Sequence, residues 1–199
     1  SQTAYVSLVE RANILEGQTI LILGAAGGVG LAAIQLANAI GAKVIAICST
    51  KSKQEIAIKA GAKYALGYDN MINEVAEITE KEGVDVIYDP IGGEYFLNAL
   101  KTIKWGGKIL IVGFASGSIP SLPINIPLIK GISVLGVRAG EYFRKYPNLK
   151  KPAMNKILNI ANKGLITPII HDSIPLRDAI KALKKIEKRE VIGRLILKP

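Results

Sequence analysis

The sequence predicts an α/β fold, a doubly wound parallel sheet with a short C-terminal α/β appendage. Three observations carry that prediction. Short apolar runs alternate with helix-length segments through the first 140 residues. A glycine-rich stretch joins the first apolar run to the first helix. Beyond residue 140 the alternation fails and the charge changes: residues 1–140 hold 12 Lys/Arg against 11 Asp/Glu, and residues 141–199 hold 14 against 5. The chain is therefore expected to divide into a nearly neutral unit over 1–140 and a basic helix–strand–helix–strand segment over 141–199.

Each element has its own signal. Thr19–Leu23 is short and apolar, the pattern of a strand buried on both faces, and Gly28–Ile40 is a helix closed by Gly41. Lys43–Cys48 is the second strand, followed by a helix over Lys51–Ala60 that Gly61 closes. Tyr64–Gly67 makes a short third strand, and the helix over Met71–Lys81 ends before Gly83. Val84–Tyr88 is the fourth strand, Glu94–Ile103 the next helix, and Lys108–Val112 the fifth strand after a turn at Gly106-Gly107. Ser116–Pro127 is expected as a loop, because its prolines defeat regular structure. Ile132–Val137 is the sixth strand. The tail reads as a helix from about Asn148 to Lys163, a strand over Ile166–His171, a helix over Leu176–Arg189 and a strand over Arg194–Leu197.

Composition narrows the chemistry. At 199 residues and 49% hydrophobic, with mean hydropathy +0.30, the chain buries a real core and is not disordered. One cysteine, Cys48, excludes a disulfide framework and a Cys-rich zinc site. One histidine, His171, leaves His-based metal sites and catalytic triads without partners. No metal site is expected, and any chemistry is borrowed from a cofactor. The net charge of +10 belongs to the tail, whose Tyr142, Phe143 and Tyr146 flank Arg144 and Lys145 without completing a nucleic-acid motif. A solvated helix face or a surface for an acidic partner is the expectation there. Gly17–Ala42 lacks charge and includes Gly24-x-x-x-Gly28, yet Gly24, Gly27, Gly28 and Gly30 would break one membrane helix. With polar Ser1-Gln2-Thr3 at the start and no signal peptide, the reading is a cytoplasmic protein.

The chemistry-bearing motif is Leu21–Gly30, LILGAAGGVG. A strand runs into a glycine turn that opens a helix, the context of a dinucleotide fingerprint in a Rossmann fold. Bare glycines let backbone approach a pyrophosphate, whose charge sits at the helix N-terminus. Read strictly, Ala25-Ala26-Gly27-Gly28-Val29-Gly30 replaces the first fingerprint glycine with alanine. At the end of the second strand, Cys48-Ser49-Thr50-Lys51-Ser52-Lys53 has no acid for ribose hydroxyls. Hydroxyls and two lysines suit the extra phosphate of NADP(H); alternatively, Lys51 and Lys53 only solvate a first helical turn.

The run from Thr3-Ala4-Tyr5 through GAAGGVG, GAK at 41–43 and 61–63, Tyr88-Asp89-Pro90-Ile91-Gly92-Gly93, VGFASGSIP at 112–120 and Gly193-Arg194-Leu195 resembles the medium-chain dehydrogenase/reductase superfamily. Within it the sequence is most similar to the zinc-free quinone oxidoreductase, or zeta-crystallin-like, branch. That resemblance implies an NADPH-dependent transfer of hydride to a quinone or enone. It implies that Gly27, Gly28 and Val29 hold the pyrophosphate and that Ser49, Lys53 and Tyr68 hold the 2′-phosphate. It places Gly113, Phe114 and Ala115 along the nicotinamide half, with Thr3 near the carboxamide. No catalytic residue is assigned. Members of the superfamily begin with a GroES-like domain that forms the other wall of the substrate cleft, so the tail is expected to pack on such a part. A homodimer through residues 132–137 is also implied, since an apolar edge strand invites pairing; Lys130 and Arg138 flank it as possible edge-protecting charges.

Three rival readings remain at this level. Gly24, Gly28 and Gly30 also satisfy the glycine pattern of a short-chain dehydrogenase, and Ser133, Tyr146 and Lys150 imitate its catalytic spacing. Pro147 after Tyr146 instead marks a helix start. An enoyl reductase domain of a larger synthase is a second possibility. A non-catalytic nucleotide-sensing module, keeping the turn and lacking catalytic side chains, is the third.

Overall fold

The computed structural model describes all 199 residues. Its centre is β1 (Thr19–Ile22), a four-residue strand whose last three residues are fully buried. β1 pairs in parallel with β2 (Lys43–Ile47) on one side and β4 (Val84–Asp89) on the other. β3 (Tyr64–Leu66), β5 (Ile103–Ile111) and β6 (Ser133–Gly136) complete a parallel sheet of order β3-β2-β1-β4-β5-β6. The order reverses between β1 and β4. Connections on either side of that reversal leave in opposite directions, opening a crevice at the strands' C-terminal ends.

Helices cover both faces. α1 (Gln2–Tyr5), α2 (Gly28–Ile40) and α3 (Lys51–Lys59) lie over one face, and their apolar side chains join a core of 30 buried residues. α4 (Met71–Ile78) and α5 (Gly93–Leu100) cover the other, where Met71, Val75, Phe96 and Leu100 belong to a core of 14. Two cores around one sheet are what doubly wound means physically. The uncharged run Gly17–Ala42 is divided into β1, a turn and α2. No helix is long and apolar enough to cross a membrane.

Several elements differ from the sequence expectation, each for a local reason. β5 begins at Ile103, not Lys108, and runs through Gly106-Gly107. Gly106 takes φ +76° and the β4–β5 register shifts between Val84 and Val86, so the expected turn is a bulge within the strand. The segment 116–127 is not loop throughout. α6 (Asn125–Lys130) starts inside it, with Pro127 in the first helical turn, where a missing N–H costs no hydrogen bond. α7 (Ala139–Lys145) precedes the expected long helix, which is α8 (Pro147–Asn162) and opens on its proline. The N-terminal residues, given no element from sequence, form α1 and a π-helical turn over Val6–Arg11.

In the tail, β7 is Ile170–Pro175, shifted beyond Pro168, and pairs in parallel with β8 (Arg194–Lys198). A 3₁₀ turn over Leu176–Asp178 leads into α9 (Ala179–Glu187), which stops before Arg189, a residue at φ +57°. Phe143, Ala153, Ile157 and Ile166 join the main core with α1 and α2. α9 instead leaves Ile180, Leu183 and Ile186 exposed.

Candidate cofactor site

The turn after β1 and the turn after β4 face one another across the β1/β4 reversal. After β1, Gly30 packs so closely that a Cβ there would stand 2.6 Å from the Gly24 carbonyl oxygen and 2.7 Å from Ala25 Cα. This seats the first turn of α2 directly on the end of the strand. α2 has no capping side chain and no acid in its first turn, so its leading amides are free for an anionic ligand.

After β4, the buried Asp89 carboxylate organises the opposite turn. Its Oδ1 accepts from the Ile91 amide at 2.7 Å and the Gly92 amide at 2.9 Å. Burial raises the Asp89 pKa above the usual carboxylate range, and the two amide contacts oppose that rise without cancelling it. Ile91, placed by this turn, reaches toward Gly24, where a Cβ would meet its Cδ1 at 2.6 Å.

Between the turns lies a cavity of about 480 Å³. Its lining includes Gly27, Ser49, Lys53, Tyr68 and Ala115, five of the residues singled out from sequence. Lys53 Nζ donates to Ser49 Oγ at 3.3 Å and to the Arg189 carbonyl at 2.8 Å. Tyr68 OH accepts the Gly24 amide at 3.0 Å, which leaves its own proton free to donate. Burial pushes the Tyr68 phenol up to about 12 and the Cys48 thiol up to about 11, so both stay protonated near neutrality.

The other five predicted residues do not line this cavity. Gly28 faces away, against Gly193 and Arg194. Val29 packs on the main core. Thr3 is half-buried in α1, its carbonyl taking the Ser7 hydroxyl at 2.7 Å. Gly113 donates its amide to the Asp89 carbonyl at 3.3 Å, and the Phe114 ring sits beside Gly92. Both flank Ala115. Neither Ser133, Tyr146 nor Lys150 lines the cavity; Tyr146 packs its ring on Tyr142, 5.1 Å between centroids.

Sequence reasoning missed Tyr95, whose ring packs on Tyr68 at 4.3 Å, and the whole C-terminal wall: Ile186, Glu187, Arg189 and Val191. Tyr95 is the third residue of α5, in the first turn of the helix after the Asp89 turn, a detectable place for a site residue. The C-terminal wall had no local signal, since Lys53 and Arg189 are 136 positions apart.

A glycine turn at a helix N-terminus, facing a second turn across a strand-order reversal, defines a dinucleotide-binding α/β domain. The profile of the zinc-binding dehydrogenase family matches residues 28–155. The chain belongs to that family, in the medium-chain dehydrogenase/reductase superfamily, and its relatives are quinone oxidoreductase-like proteins. The quinone oxidoreductase-like protein 2 homolog of Nematostella vectensis is 38% identical over 199 residues, covering 98% of this chain and 54% of that protein. The Escherichia coli quinone oxidoreductase complexed with NADPH superposes with a TM-score of 0.90 at 28% identity, covering 100% of this chain and 62% of that one. A mycobacterial protein complexed with NADPH gives 0.92 at 27% identity, with coverage of 100% and 62%. The chain thus spans between half and two thirds of the length of the relatives it matches. No three His, Cys, Asp or Glu side chains come together in it.

The Asp89 turn yields a prediction. With its pKa raised in the folded state, the native protein holds this proton more tightly than the unfolded chain does, so its contribution to stability falls as pH rises through the raised pKa. Asp89→Asn keeps the Oδ1 acceptor and removes the charge. Urea unfolding at pH 4 and pH 7 should show the variant gaining on wild type toward pH 7. Asp89→Ala, which orphans two amides, should lose about 1–3 kcal/mol at both.

Proposed function

We propose that this chain is the cofactor-binding part of an NADPH-dependent reductase that passes hydride to a quinone, an enone or a related alkene. The observation that carries the reading is the adenosine end of the cavity. Ser49 and Lys53 stand at the end of β2, where an NAD site would hold a carboxylate, and Arg189 adds a second cation. The one carboxylate in the lining, Glu187, comes from the opposite, C-terminal wall.

These residues fit NADP(H) on their own chemistry. Gly27 has only the Gly24 oxygen, at 3.4 Å, near its missing Cβ, so backbone there is open to a pyrophosphate. The amides of Gly28 and Val29 belong to the uncapped start of α2 and point their positive end the same way. Ser49 donates to a 2′-phosphate oxygen, Lys53 and Arg189 balance its charge, and Tyr68 offers its free phenolic proton. Gly113, Phe114 and Ala115 continue the groove toward the nicotinamide half, with Thr3 on the carboxamide side. When bound, the cofactor supplies the hydride. The chain supplies binding, orientation and an apolar lining from Ala26, Ile91 and Ala115.

Positioning of the acceptor falls to a further domain in this reading. The exposed apolar residues Leu176, Ile180 and Leu183 support a packing partner for the tail, and the partial coverage of the relatives is in keeping with it. A homodimer through β6 is part of the same proposal. β6 is the free edge of the sheet, Val134 is exposed on it, and Trp105 lies against Gly131 just before it with most of its ring side in solvent. The lone buried cysteine suits a reducing compartment, which supports a cytoplasmic placement.

Cofactor choice is tested by equilibrium binding. Wild type should prefer NADPH over NADH, and Lys53→Ala should weaken NADPH by about one to two decades, the loss of a charge-assisted contact of about 1.5–3 kcal/mol, while leaving NADH unchanged. Equal affinities in wild type would remove the assignment. The purified chain should reduce quinones about 100-fold or more slowly than the full-length Escherichia coli relative, because the acceptor is poorly placed; comparable turnover numbers would refute the need for a further domain. Sedimentation should give a dimer that Val134→Pro converts to monomer, proline removing a donor from the paired edge.

A further inference from the structure

The fingerprint glycines are ordinarily explained by a ligand's approach, but the surroundings of Gly28 point elsewhere. A Cβ on Gly28 would meet Arg194 Cγ at 2.8 Å and the Gly193 carbonyl oxygen at 2.9 Å. Gly193 forms a parallel bridge with Gly27, and its amide donates to the Ala26 carbonyl at 2.8 Å. Gly193 is itself crowded. It takes φ +72°, and a Cβ there would stand 2.2 Å from the Ile169 carbonyl oxygen, which also accepts the Arg194 amide at 3.1 Å. Four residues upstream of Gly193, the Arg189 carbonyl is held by Lys53, and the segment between supplies Val191 to the cavity.

We infer that Gly193 is a positioning residue of the nucleotide site: it clips the C-terminal strand onto the dinucleotide turn, and Gly28 is bare to admit that strand. The pyrophosphate then meets the turn from the Gly27 side, where the space is open. The clip holds the Ala26–Gly27 backbone from behind while the segment leading into that strand carries Arg189 and Val191 around to form the far wall. One interaction therefore sets both the orientation of the turn and the width of the cavity. By linkage, if docking of the strand favours the nucleotide, the nucleotide favours docking of the strand to the same degree.

This inference rests on the dinucleotide reading of the cavity, and amide hydrogen exchange separates the two. In the ligand-free chain, Gly28→Ala should speed exchange of the Gly193 amide tenfold or more and leave the Gly164 amide, at the end of α8, unchanged. An unaltered Gly193 amide would mean that Gly28 is not bare for the strand, and the clip is overturned. In wild type, saturating NADPH should slow the Gly193 amide by a larger factor than the Gly164 amide; equal slowing also overturns it. That wild-type measurement stands if the variant fails to fold. Gly193→Ala should weaken NADPH tenfold or more at an unchanged far-UV spectrum, and full affinity would count against the clip. Failure of wild type to bind NADPH would sink the cofactor reading, whereas the ligand-free Gly28→Ala comparison decides the clip by itself.

Discussion

The crowding of backbone at Ala25–Gly30 is the constraint on which the rest of the site depends. α2 can start on the end of β1 only because Gly30 has no side chain to strike the Gly24 oxygen. With α2 seated there, its uncapped N-terminus is fixed over the strand-order reversal, and the turn after β4 comes to face it. Asp89 then fixes that second turn by accepting two amides on a buried carboxylate, whose burial raises its pKa while the amide contacts pull it down. Each turn is rigid for a different reason, sterics on one side and hydrogen bonding on the other. Rigid facing turns keep a groove open without a ligand to prop it.

The charge asymmetry acquires a structural meaning from the far wall. The body of the fold is close to neutral, so an anionic ligand approaching the β2 end meets little long-range attraction from it. The basic tail folds back until Arg189 lies beside Lys53. The Lys53 ammonium donates to the Arg189 carbonyl, so the tie between the two residues is to backbone. Two cations are thereby gathered at one end of a cavity whose other end is apolar. Such polarity orients a ligand that carries phosphate at one end and a flat ring at the other.

Much of this was legible in the sequence, and the limits are physical. β1 to β4 and the helices between them are readable because each is a local signal: a short, mostly apolar run, then a helix with glycine at its end. The glycine turn and the acid-free end of β2 followed from position in that alternation. Elements set by pairing were not readable. The start of β5 depends on Ile103 finding Val84 across a bulge, and the displacement of β7 depends on where β8 lies. α6 has no clear sequence signal, because Pro127 reads as a helix breaker and is tolerated only by its place in a first turn. In the site, Ser49, Lys53 and Tyr68 were accessible as strand-end residues. Arg189 and Val191 were not, since they arrive by a tertiary return of the chain that no spacing records.

That return gives the cavity walls of unequal strength. One wall is made of strand ends and turns whose flanking residues are wholly buried on both faces of a six-stranded sheet. The other is made by α9 and the segment before β8, and β8 pairs with β7 alone. A two-stranded sheet is marginal by itself. Its attachment to the body runs through the Gly193 contact, the Lys53 tether, the Gln35 amide donating to the Thr167 carbonyl, and Ile166, Ile169 and Ile192 against the main core, while α9 keeps Ile180 and Leu183 in solvent. Local opening of the site will therefore begin at the C-terminal wall, because that is where the least buried area and the fewest hydrogen bonds must be lost. A partner covering Ile180 and Leu183 would steady this wall and, through it, the contact between Arg189 and Lys53. A domain that supplies the acceptor side of the cleft would thus also tighten the hold on the cofactor, with no contact to the cofactor needed.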